Sequence, residues 1–76
     1  MKEVQISLNS IDKVKSFVNA IAGYNYDFDL VSGRYVIDAK SIMGIFSLDL
    51  SKPIDLQIHS DDAADEVLEA LKDYII

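Results

Sequence analysis

The 76-residue chain contains no cysteine, one histidine, one proline and three glycines. Without thiols there can be no disulfide framework and no thiolate metal site, which is compatible with a reducing compartment. The single histidine, His59, has no second histidine or cysteine near it in sequence, so imidazole-based metal binding has little support. No apolar stretch approaches the roughly 20 residues that cross a bilayer. The start, Met1-Lys2-Glu3-Val4-Gln5, lacks the apolar run of a signal peptide. The expectation is a cytoplasmic domain. Basic residues are also scarce: 7 Lys and Arg against 13 Asp and Glu give a net charge of −6. Such a surface repels a phosphate backbone and an anionic membrane, so neither nucleic acid nor membrane is an expected partner.

What is present is enough to fold. Half of the residues are hydrophobic, and the length suits one domain with one small core, here taken as residues 1–76. Val4, Ile6 and Leu8 alternate with polar residues, the period of a strand with one buried face. Asn9 or Ser10 can cap a helix in which Ile11, Val14, Phe17, Val18 and Ile21 recur at spacings of three and four. Gly23 marks its end. Tyr24, Tyr26, Phe28 and Leu30 alternate and predict a second strand. Ser32-Gly33-Arg34 reads as a turn, and Tyr35-Val36-Ile37 as the returning strand of a hairpin. Ser41 begins a short helix. Pro53 forbids its continuation, and Ile54, Leu56 and Ile58 predict a fourth strand. A last helix starts near Ser60-Asp61-Asp62 and buries Ala64, Val67, Leu68, Leu71 and Ile75. Each strand has one apolar and one polar face. The fold class is therefore α+β, an antiparallel sheet covered by helices on one side and bare on the other.

The segment after Ser41 is the least ordinary. Ile42, Met43, Ile45, Phe46, Leu48 and Leu50 put six large apolar residues into nine positions. On a helix they spread over roughly 220°, whereas a helix packed on a core needs a stripe little over about 100° wide. If Ile45 and Leu48 face inward, Met43 and Phe46, with Ile42 beside them, face water as a contact patch. The other reading buries both sides in a tight core. Spacing alone does not decide between them.

The run Lys-Ser-Ile-Met-Gly-Ile-Phe-Ser-Leu within Asp38–Leu50 resembles the segment around the regulatory serine of HPr, the phosphocarrier of the bacterial sugar phosphotransferase system. The order strand, helix, strand, strand, helix, strand, helix agrees over the whole chain. The resemblance implies an open-faced sandwich with strand order 1-4-2-3 and three helices on one face. It implies that Ser41 is the position phosphorylated by a dedicated kinase in many bacteria. Ile42, Met43 and Phe46 match the family's docking positions in kind. The partner implied is a protein, of the phosphotransferase system or a regulator.

The same comparison exposes a loss. The family carries its phosphoryl group on a histidine at the start of the first helix, beside an arginine that holds the phosphate. Matching Phe17-Val18 and Gly23-Tyr24 puts Ser10 at the histidine and Asp12 at the arginine. A hydroxyl is not a reversible carrier of similar energy, and a carboxylate repels phosphate. Lys13 and Lys15 replace only part of the lost charge. The expectation is a carrier-defective homologue that is not an enzyme, uses no cofactor or metal, and works by binding. Two alternatives stand beside it. One is a phosphocarrier with an atypical acceptor such as His59, although His59 reads as a solvent-facing residue at a strand end. The other is a self-associating structural domain joined through the apolar patch.

Overall fold

The alternating segments pair into one antiparallel sheet. A computed structural model describes residues 2–62 and 64–76. Its strands are β1 (Lys2–Ile6), β2 (Phe28–Ser32), β3 (Tyr35–Asp38) and β4 (Ile54–Ile58), in the spatial order β1-β4-β2-β3. Its helices are α1 (Ile11–Ala22), α2 (Ile42–Phe46) and α3 (Ala64–Ala70). The order follows from the connections. A two-residue turn keeps β2 and β3 adjacent, whereas β4 enters between β1 and β2, pairing Val4 with Leu56 and Leu30 with the same Leu56.

This register sets the two faces. Ile6, Phe28, Leu30, Ile54, Leu56 and Ile58 are all buried. Successive strand residues point to opposite sides, so these apolar side chains share one face, under Val14, Phe17 and Ile21 of α1, Ile45 of α2 and Val67 of α3. Burying one such side chain stabilises the fold by about 1.5–3 kcal/mol. The other face carries Glu3 opposite Gln57, Gln5 opposite Asp55, and Asp29 opposite both Gln57 and Asp38. It is the bare polar face that the alternation predicts.

Local chemistry explains the boundaries. Ser10, not Asn9, caps α1: its backbone is extended and its Oγ accepts the Lys13 N–H at 3.1 Å. Gly33 has φ of +60° and is the first of the two turn residues, the arrangement of a type II′ hairpin turn whose twist matches the strands. Two expectations are corrected. The second strand starts at Phe28, not Tyr24. Its ladder with β4 begins at the Phe28–Ile58 pair, and the residues before it have no strand to pair with. Tyr24 and Tyr26 instead stack on each other, centroids 6.4 Å apart, against the core margin. The last helix stops at Ala70, so Ile75 lies on no helical stripe. It forms a bridge with Ile6, while Ser7 N–H donates to the Tyr74 carbonyl and Ile76 N–H to that of Gln5. The C-terminal residues thus cover the Gln5–Ser7 end of the outer edge of β1. Tyr74 also meets Phe17 edge-on at 5.7 Å.

Candidate functional site: the second helix and its exposed apolar patch

Asp38 starts the construction. Its Oδ1 accepts the Lys40 N–H at 2.9 Å and its carbonyl accepts the Ser41 N–H at 3.0 Å, turning the chain out of β3. Ser41 is extended and exposed, and its Oγ accepts the Gly44 N–H at 3.2 Å. The first helical bond runs from Ile45 N–H to the Ser41 carbonyl. The N–H groups of Ile42 and Met43 precede that bond and point out of the helix start. Gly44 allows the close approach: a Cβ there would lie 3.3 Å from both Ile37 Cδ1 and Ser41 Oγ. At the far end Ser47 and Leu48 close the turn on the Gly44 and Ile45 carbonyls.

The orientation of α2 follows. Ile45 and Leu48 are buried, Ile42 is half-buried against the core, and Met43 and Phe46 are 77% and 40% exposed. From Ser41 to Leu48 there is no charged side chain. The neighbouring cation is engaged elsewhere: Lys40 Nζ donates to the Tyr24 carbonyl at 2.7 Å and sits 5.5 Å from the Phe28 ring centre. The site therefore combines an exposed hydroxyl, two outward N–H groups and an uncharged apolar knob. It can present surface to a protein. Nothing in it supplies a nucleophile with a general base.

The start of α1 is differently equipped. Ser10 holds the cap, Asp12 lies in the first turn, and Ile11, Lys13 and Lys15 are exposed. No imidazole or guanidinium belongs to this helix. His59 lies just past β4. Its N–H donates to the Asp27 carbonyl, and its Nε2 is 2.8 Å from Asp29 Oδ2, both side chains about one third exposed. The aspartate partner went unnoticed in the sequence because it lies 30 residues away; only the β2–β4 register brings the two together. No group of three or more His, Asp or Glu side chains gathers as a metal site among the described residues. No helix among them is long and apolar enough to cross a membrane.

A feature that the sequence did not suggest is an open groove of about 460 Å³ between the hairpin tip and the segment after α2. Arg34, Tyr35, Lys52, Asp49 and Asp55 line it. Ser41, Ile42, Met43 and Phe46 do not. Asp49 titrates below the usual carboxylate range because the Ser51 hydroxyl and N–H donate to it, with Lys52 nearby.

Comparison with known proteins gives one family. Residues 13–76 match the family described as the PTS HPr component phosphorylation site; the match begins just past Ser10 and Asp12. No curated protein matches. Among solved structures, HPr-C-His from Thermoanaerobacter tengcongensis is 29% identical, with a TM-score of 0.78 over 96% of this chain and 89% of that one. The phosphocarrier protein HPr from Bacillus anthracis is 30% identical, with a TM-score of 0.71 over 99% and 94%. A histidine-containing phosphocarrier protein of Mycoplasma is 15% identical at a TM-score of 0.71 over 95% and 86%, a likeness of fold alone. By sequence match, strand order and helix placement together, this chain belongs to the HPr family of the phosphotransferase system.

Proposed function

We propose that this HPr-family chain acts by binding a protein partner through Ile42, Met43 and Phe46, and that it does not relay phosphoryl groups on histidine. The observation that carries the reading is the contrast between two helix starts. The start of α1 offers a serine and an aspartate where a phosphocarrier needs an imidazole and a guanidinium. The start of α2 keeps an exposed serine beside an exposed apolar knob. An exposed methionine adapts its shape to a partner, and Phe46, 40% exposed, can fill a pocket. The partner belongs to the phosphotransferase system or to a regulator that reads it, in the cytoplasm.

Ser41 is the switch in this reading. A phosphate there adds a charge of about −1.5 to −2 to an uncharged surface. The N–H groups of Ile42 and Met43 are placed to receive it. A helix of five residues has little dipole of its own, so these local donors do the holding. The added charge beside Met43 disfavours an apolar partner and favours a cationic one.

The test uses the purified chain with two kinases. The phosphoenolpyruvate-dependent kinase of the phosphotransferase system should leave its mass unchanged, and an HPr kinase should add one acid-stable phosphate on Ser41. Acid-labile phosphate from the first removes the carrier-defective reading; no seryl phosphate from the second removes the switch. His59 as an atypical acceptor is tested in the same tube. It lies just past a strand, with its Nε2 against Asp29.

A further inference from the structure

The two edges of the sheet are treated differently. The outer edge of β1 is covered at its Gln5–Ser7 end by Tyr74, Ile75 and Ile76. β3, at the other end of the order β1-β4-β2-β3, pairs among the described residues with β2 alone. That open edge carries Tyr35 at 70% exposure and Val36 at 62%. An exposed apolar edge strand is a template for pairing, and proteins ordinarily blunt it with charge. Here the charges sit at its ends, Arg34 in the turn before it and Asp38 at its last position.

The ladder fixes which groups are free. A two-residue turn makes Ser32 and Tyr35 the closing hydrogen-bonded pair, so hydrogen bonding alternates along β2–β3. The Ala39 N–H bond to the Phe28 carbonyl agrees with that alternation. Val36, opposite Val31, therefore falls at a non-bonded position, and its N–H and C=O point away from β2. The Asp38 carbonyl already serves Ser41.

We propose that β3 pairs with β3 of a second copy of this chain, antiparallel about a two-fold axis through Val36. In that register Val36 exchanges both backbone bonds with Val36 of the second copy. Tyr35 falls opposite Ile37 of the second copy, and Arg34 opposite Asp38, each twice by symmetry. End charges that repel a parallel or mismatched strand attract in this single register. The Arg34 guanidinium makes no hydrogen bond or ion pair among the described residues, and Asp38 faces Asp29 across β2–β3. The second copy supplies the first with an anion and the second with a cation. Four strand residues bury far less than the roughly 1,200 Å² of a stable interface, and two chains of net charge −6 repel at long range. The dimer is therefore weak and forms at high protein concentration. It uses neither Met43 nor Phe46 and leaves the patch on α2 open.

The test is sedimentation of the full chain from micromolar to millimolar concentration at moderate ionic strength, with amide exchange followed residue by residue. The expected result is a monomer–dimer equilibrium in which the Val36 amide becomes several-fold slower to exchange as dimer forms. Val36→Lys should abolish the dimer, and Arg34→Glu should weaken it about tenfold. Both positions are exposed, and circular dichroism checks their fold. The unaltered chain carries the test through the Val36 amide in any case. A chain that stays monomeric throughout overturns the proposal. So does a dimer that survives Val36→Lys and is broken by Phe46→Asp.

Discussion

At the scale of single residues, the capping role of Ser41 and its proposed role as a switch can be separated by substitution. Its Oγ holds the Gly44 N–H, so Ser41→Ala should cost about 0.5–2 kcal/mol in urea unfolding, whereas Ser41→Asp keeps an acceptor and should cost less. Only the charge distinguishes Ser41→Asp from the parent at the partner surface. Asp49 gives a second prediction. Ser51 lowers its pKa, so Ser51→Ala should return the Asp49 titration toward the ordinary carboxylate value in a side-chain NMR titration. The sign is that of a depressed acid. The contribution is present above the unfolded-state pKa and is lost as pH falls through the folded one. Asp49 is exposed, so the effect belongs to the titration curve and hardly to stability.

At the scale of elements, α2 divides a core side from an exposed side within five residues. Ile45→Ala should cost about 2–5 kcal/mol, the usual loss for a buried branched side chain. Met43→Ala should stay within about 0.5 kcal/mol, as exposed positions do. Equal losses at the two positions would contradict this division. The same elements show what the sequence could disclose. Period-two alternation locates β1, β2 and β4, because a half-buried strand must alternate, whereas Tyr35-Val36-Ile37 is found by the turn before it. Alternation does not locate where β2 begins, because Tyr24 and Tyr26 keep the alternation going for another reason, packing against the core margin beyond the reach of β4. The spacing on α2 named Ile45 and Leu48 as inward and Met43 and Phe46 as outward if the helix faced one way. The burial of Ile45 and Leu48 beside the exposure of Met43 and Phe46 shows that it does. Ile75 looked like one more turn of helix, but a bridge to Ile6 claims it. The groove beside Arg34 and the His59–Asp29 contact were out of reach, since each is assembled from segments far apart in the chain.

At the scale of the whole molecule, an acidic domain of the HPr fold presents an uncharged apolar knob at α2 and an exposed sheet edge at β3. The two proposals, partner binding and self-pairing, rest on different residues. Met43→Asp or Phe46→Asp should abolish capture of a phosphotransferase-system partner by surface plasmon resonance while leaving the unfolding midpoint nearly unchanged, and Val36→Lys should leave capture intact. The most direct measurement of the central claim is intact-mass spectrometry after incubation with phosphoenolpyruvate and the complete histidine-phosphorylating components of the system. The account predicts no mass gain, because the start of α1 offers Ser10 and Asp12 in place of an acceptor and its anion clamp. A stoichiometric, acid-labile phosphate on this chain would contradict it.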